Sequence, residues 1–292
     1  PHFALEIDRF PNLRAQHGGT HSTQSEEFAL HQSLSEIGTI MSRSPAGGNR
    51  ARLHATCGYD YMESMQSIRL AALLTFAAGL LLPLGAASTN YLVFVRTGSG
   101  NGSKGIYAFR FNAVTGVAGP LALAAEANNA SFLAVHPNGK FLYAVSEIND
   151  FAGKRTGAVA AYKIDAAAGT LKLLNQVSSG GAGPCHVAFD KTGKFVLVAN
   201  YAGGTVAVLP IQSNGKLGEA TSMIQHKGKS VDPQRQEGPH AHGITASPDN
   251  KYVLAADLGL DQVVIYQFDA AKGVLTPNNP PYGKVPDGEI GR

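Results

Sequence analysis

Between Arg235 and His242 the chain sets a guanidinium, an amide (Gln236), a carboxylate (Glu237) and two imidazoles (His240 and His242) within eight residues. Such a set can hold a metal, activate a nucleophile or grip an anionic substrate. His240 and His242 are two apart on an extended segment, so their side chains point the same way. That spacing suits two metal ligands. A catalytic zinc site wants three protein ligands, however, and only Asp257 or His186 offers a third. A metal-free polar site asks for less. The bland alternative has one histidine bonded to a loop backbone while the other faces the channel.

These residues need a rigid carrier, and composition narrows what it can be. The chain has 292 residues, with 34 glycines, no Trp and 15% charged residues, which suits a turn-rich globular β domain. A net charge of +3, with no basic stripe interleaved with aromatics, argues against nucleic acid as a partner. One apolar run stands out. Residues 65–87, MQSIRLAALLTFAAGLLLPLGAA, begin with a lone Arg69, run apolar from Leu70 to Leu84, and end on Gly85 and Ala87 at −3/−1 spacing. That is the layout of a secretory signal peptide, and its core is short of the roughly 20 residues of a membrane span. Export to the periplasm or the extracellular space is therefore expected, with no stable membrane insertion once the signal is cut. Residues 1–64 then read as translated upstream sequence or a disordered extension, with Met62 or Met65 as a start. Residues 88–292 form the mature domain and hold a single cysteine, Cys185, so no disulfide can form within it.

Repeats decide the fold. SFLAVHPNGKFLYAVSE begins at Ser131, CHVAFDKTGKFVLVANY at Cys185 and HGITASPDNKYVLAADL at His242. Each is a short apolar strand, a polar turn carrying a lysine, and a second apolar strand. Their lysines, Lys140, Lys194 and Lys251, are spaced by 54 and 57 residues. Alternating strands interleave with them, starting at Gly105, Gly157, Gly204 and Asp261, and a weaker strand follows each. Four strands per repeat of about fifty residues describe an all-β fold, a β-propeller of four-stranded antiparallel blades.

Blade geometry then sorts the residues. If strand A descends, B returns, C descends and D returns, the D-to-A and B-to-C connections share one face. That face collects His186, His240 and His242 from the starts of A strands. The ends of B strands add Glu147, Asn200 and Asp257, and the long loop from His226 to Gly238 adds Arg235, Gln236 and Glu237. Arg235 suits a planar two-toothed grip on carboxylate or phosphate. His186 can act as a base near neutral pH. Gln236, His240 or Asn200 can donate to an oxyanion. No cofactor is called for.

GPCHVAFDKTGKFVLVANYAGGTVAV and RQEGPHAHGITASPDNKYVLAADLGLDQ resemble the seven-bladed lactonase family, which includes propeller-type 6-phosphogluconolactonases and carboxymuconate cyclases. The resemblance runs from about Asn90 to Gly288. It implies lactone hydrolysis, with the catalytic His on His186, the Arg on Arg235 and an acid near Asp257. It also implies seven blades, of which about three and a half to four are present here, so the chain reads as a fragment. Strand A of the first blade is missing, which leaves the edge of NYLVFVRT open. The last blade shows an apolar face to which Val253, Val264 and Tyr266 contribute from one side or the other, so self-association through open blade edges is expected. A small lactone or sugar acid is the expected partner, and an exported enzyme favours one without phosphate. Two rivals stay open: a carboxymuconate-type lactonizing cyclase, and a non-catalytic exported propeller that binds carbohydrate or protein. N-terminal sequencing of secreted protein should find Ser88 first, and a sequence from before Met65 would remove both the signal and the start-site readings.

Overall fold

A computed structural model describes residues 2–6, 90–97 and 102–288. The signal-like run 65–87 and the extension around it lie outside these residues. The described strands belong to one compact unit made of Pro1–Pro11 and Ala87–Arg292.

Among the described residues there is no helix, and sixteen strands form four four-stranded sheets. The first holds β1 (His2–Glu6), β2 (Asn90–Arg96), β3 (Gly105–Asn112) and β4 (Ala122–Glu126). The second holds β5 (Ala130–Val135), β6 (Phe141–Ser146), β7 (Ala158–Asp165) and β8 (Thr170–Ser178). The third holds β9 (Pro184–Phe189), β10 (Phe195–Asn200), β11 (Thr205–Pro210) and β12 (Ser222–Gln225). The fourth holds β13 (Ala241–Ala246), β14 (Tyr252–Asp257), β15 (Gln262–Asp269) and β16 (Val274–Lys284). Strands follow chain order across each sheet, and from β2 onward every pairing is antiparallel. These are the antiparallel blades of a β-propeller.

One expectation changes at the first blade. The edge of β2 is covered: β1 pairs with it in parallel, His2 opposite Leu92 through Glu6 opposite Arg96. An exposed row of backbone donors and acceptors accepts any extended segment that reaches it. Here the segment comes from the start of the chain, which sequence patterning had left without structure.

Packing follows from the two-residue period of a strand. In β10 every residue is buried, because a blade inside a stack has both faces covered. Leu197 and Ala199, with Val206 and Val208 of β11, pack against Ile244, Val253, Ala255 and Tyr266 of the fourth blade. The alternate residues Val196, Val198, Ala207 and Leu209 pack against Tyr143, Val145, Val159 and Ala161 of the second. Leu92, Phe94 and Ile106 meet Leu133, Leu142 and Tyr162 in the same manner between the first and second blades. The period also settles the fourth blade. Val253 and Tyr266 are buried, and they and Val264 face the third blade, while Leu254, Ala256, Val263 and Ile265 occupy the other side, half-buried.

The polar turns of the repeat latch neighbouring blades together. In blade two, His136 Nε2–H donates to Gly193 O of blade three at 2.8 Å. In blade three, Asp190 accepts from Thr192, Lys194 and Phe195 of its own turn and from Asn250 Nδ2 of blade four at 3.0 Å. Burial alone would raise the Asp190 pKa, but these donors outweigh it and hold the carboxyl below the usual range. Asn250 returns the contact by accepting from Lys191 N at 2.9 Å, and it sits at φ 60°. Asn250→Gly keeps that backbone conformation and removes only the latch. Urea unfolding should show a loss of about 1–2 kcal/mol, and an unchanged midpoint would mean the latch carries no net stability.

Candidate functional site

The loop between β12 and β13 is held by buried polar groups before it presents anything to solvent. Burial, together with the charge of Asp257, pushes the Tyr266 hydroxyl well above its ordinary pKa, so it stays protonated. It donates to His226 Nε2 at 2.7 Å. His226 Nδ1–H in turn donates to Asp257 Oδ2 at 2.6 Å. Asp257 Oδ1 accepts the backbone N–H of His240 at 2.8 Å. One carboxylate therefore pins both ends of the loop.

A second carboxylate pins its middle. Asp261 accepts from Ser230 Oγ at 2.6 Å, Gln236 Nε2 at 2.8 Å and Gly288 N at 2.8 Å. Gln236 also donates to Leu258 O at 2.8 Å and accepts from Asp232 N at 2.9 Å. Two glycines let the loop close against the rim. A side chain at Gly259 would strike the carbonyl of Gly238, and one at Gly204, at φ 59°, would strike that of Pro239.

On this base stands a cluster of rings. His240 stacks on Tyr201, with centroids 4.4 Å apart and planes at 17°. Its Nδ1 lies 3.0 Å from the Tyr201 carbonyl, which only accepts, so Nδ1 carries a hydrogen. Its Nε2 lies 3.3 Å from Glu237 Oε1. His242, exposed on β13, meets the same Tyr201 edge-on at 5.5 Å. Both histidines thus reach one ring, as their spacing requires. His186 lies half-buried on β9 with its ring 4.3 Å from that of Phe132, and its Nδ1 accepts from Ile244 N at 3.3 Å. Burial, helped by the nearby His242, lowers its pKa from 6.5 to about 4. Cys185 Sγ lies 3.5 Å from the carbonyls of both Ala241 and His242, which ties β9 to β13 beneath the cluster.

The structure therefore brings together His186, His240, His242 and Glu237, and leaves Arg235 exposed on the pinned loop just before Gln236. Glu147 is exposed at the end of β6, where its backbone pairs with Asn129. Of the expected catalytic acid and substrate contacts, Asp257 and Asn200 are 0% exposed and Gln236 is 3% exposed, so these side chains lie beneath the rim. Asn200 gives its amide hydrogens to Ser179 O and Thr205 Oγ1, each at 3.0 Å. Turn carbonyls and loop N–H groups left out of the sheets need partners, and these side chains supply them. Asp257 and Gln236 hold the loop that carries the site. With its oxygens bonded to His226 and His240, Asp257 is not offered as a third metal ligand. Among the described residues no group of three His, Cys, Asp or Glu side chains is placed to share a metal ion.

Sequence reasoning missed Tyr201, His226, Tyr266 and Asp261. Tyr201 follows Asn200 directly and could have been noticed as an aromatic on the rim. The pairing of His226 with residues 31 and 40 positions later has no local signal.

Fold and rim together define a β-propeller with a histidine-lined face. The pattern described as "Lactonase, 7-bladed beta-propeller" matches residues 92–292, and the chain belongs to that family. It is 38% identical over 188 residues to a 6-phosphogluconolactonase of Bacillus subtilis, covering 64% of this chain and 52% of that one. A 6-phosphogluconolactonase of Formosa agariphila is 36% identical over 157 residues, covering 54% and 44%. Among solved structures, a periplasmic gluconolactonase of Pseudomonas aeruginosa superposes with a TM-score of 0.61 at 30% identity, covering 68% and 55%. The chain spans about half the length of the curated relatives it matches. No helix among the described residues is long and apolar enough to cross a membrane.

The histidine on β9 makes stability depend on pH. The unfolded chain binds a proton at His186 near pH 6.5 and the folded chain only near 4, so protons favour unfolding between those values. The penalty is absent above that window and grows as pH falls through it. In urea unfolding, His186→Gln should lose less stability than the parent between pH 6.5 and pH 4. Equal losses in the two proteins would show that His186 is not held neutral.

Proposed function

We propose that this chain carries the reactive rim of a lactonase that hydrolyses a sugar-acid lactone without a metal ion. The observation that carries the reading is the joining of the His186–His242–Tyr201–His240–Glu237 cluster to an arginine-bearing loop, in a chain of this family. Hydrolysis adds water across the ring ester. The water oxygen bonds to the carbonyl carbon, the ring C–O bond breaks, and an open-chain hydroxy acid leaves.

Each requirement of that reaction has a residue able to meet it. A histidine accepts the water proton at neutral pH. An N–H donor steadies the charge that gathers on the carbonyl oxygen. Arg235 grips the carboxylate as it forms, or the phosphate of a phosphorylated lactone, through its planar fork. Tyr201 and His240 offer ring surface beside the reacting centre. The signal-like residues 65–87 and the similarity to a periplasmic gluconolactonase support an exported enzyme acting on a lactone without phosphate.

The test is hydrolysis of glucono-δ-lactone and its 6-phosphate by the purified chain, followed as acid release. Arg235→Lys keeps the charge and loses the fork. It should lower kcat/KM by about 10- to 100-fold, the worth of one charge-assisted hydrogen bond. Lactone binding without turnover would replace this reading with a carbohydrate-binding propeller. Formation of a lactone from an open-chain unsaturated diacid would replace it with a cyclase.

A further inference from the structure

We propose that His186 serves as a neutral hydrogen-bond donor to the lactone carbonyl oxygen, and that His242 is the base that takes the proton from water. The assignment rests on the lactone-hydrolysis reading above and goes beyond it, because it divides the work between two histidines that the chain's pattern treats alike. It also moves the base away from His186, where the sequence had placed it.

The geometry turns on lone pairs. A neutral imidazole has one N–H and one lone pair. In His186 the lone pair is on Nδ1, which accepts the Ile244 backbone N–H at 3.3 Å. The ring hydrogen is therefore on Nε2, the one ring nitrogen left to meet a ligand. A base must present a lone pair to water, and His186 presents a hydrogen. Protonating Nδ1 would point an N–H at the N–H of Ile244, so the ring resists becoming a cation. Burial and the neighbouring His242 act in the same direction, with the pKa lowered to about 4. A histidine kept neutral in this way polarises a carbonyl without changing its own charge.

The other two histidines are separated by the same accounting. His240 donates from Nδ1 to Tyr201 O, and its Nε2 faces the Glu237 carboxylate at 3.3 Å, so both of its nitrogens are engaged. His242 is exposed, and neither of its ring nitrogens has a hydrogen-bond partner among the described residues. Its titratable neighbours are His186, Tyr201, and Cys185, whose Sγ lies 3.5 Å from the His242 carbonyl. Edge-on contact with Tyr201 and the β13 backbone hold it beside His186.

The step then balances. Water oxygen bonds to the carbonyl carbon as its proton passes to His242, and the carbonyl oxygen takes the electron pair while accepting Nε2–H of His186. When the tetrahedral centre collapses, the ring C–O bond breaks and the departing alkoxide takes the proton back from His242. One water is consumed and both histidines are restored.

Nitrogen-15 NMR of the imidazoles tests the assignment on the whole chain without any substrate. His186 should show the Nε2–H tautomer and no titration between about pH 5.5 and 8. A hydrogen on Nδ1 of His186, or a titration of His186 near neutrality, would overturn the proposal whether or not the protein hydrolyses lactones. In the lactone assay, His186→Ala should lower kcat about 10²–10³-fold with the acid limb of the pH profile unmoved. His186→Gln, whose amide nitrogen can stand where Nε2 stood, should recover part of the loss. His242→Gln should lower kcat about 10²–10⁴-fold and remove the acid limb. Loss of the acid limb in His186→Gln, with its retention in His242→Gln, would return the base to His186. Failure of the unaltered chain to turn over any lactone would count against the hydrolase reading alone, since the NMR result does not depend on turnover.

Discussion

One carboxylate, that of Asp257, ties the rim together. It is fully buried, and its two oxygens take the ring N–H of His226, where the long loop leaves β12, and the backbone N–H of His240, where the loop enters β13. Fixing both ends of a long loop on one group removes the freedom such a loop would otherwise keep. The arrangement also makes the loop vulnerable. A buried charge is tolerable only while its partners remain, so loss of either His226 or Asp257 strands the other. Tyr266 closes the chain of bonds from the side of β15, linking the loop to the same residues that pack the third and fourth blades. The histidine-bearing rim and the apolar core therefore share a wall.

Five histidines show how little residue type says about role. His136 latches two blades through the carbonyl of Gly193, and His226 is buried between a tyrosine and an aspartate. His240 is committed at both nitrogens, His186 has its lone pair turned into the sheet, and His242 stands in solvent. An imidazole offers one donor and one acceptor at neutral pH, and the partner that takes the first decides what the second can do. Those partners come from other blades or from loops many residues away. Ile244 stands 58 residues from His186, and Tyr266 stands 40 from His226.

The same logic explains which candidate residues kept their places. Reading the chain as a stack of blades brought the starts of A strands and the ends of B strands to one face. His186, His240, His242, Asn200 and Asp257 all lie where that topology puts them. Topology does not say how deep each side chain sits. Asn200 and Asp257 end B strands beside turns whose backbone groups lack partners, so the Asn200 amide nitrogen turns inward to Ser179 O and Asp257 Oδ1 to the His240 N–H. Gln236 does the same within its loop. Arg235 and Glu237, on either side of it, remain exposed.

What the amino-acid sequence determined by itself was everything carried by short-range periodicity. Alternation along β6, β10 and β14, the polar turn after each A strand and the recurrence of that turn in successive blades are local patterns, and local patterns are legible without coordinates. The propeller, its blade boundaries and the face that gathers the histidines follow from them. Tertiary structure decided the rest. It placed β1 against the edge of β2, joined His226 to Asp257 and Tyr266, and set the Ile244 N–H against the ring of His186. Each of these depends on which donor meets which acceptor across blades. A hydrogen bond is directional and short, so its partner is fixed only once the chain has closed around it.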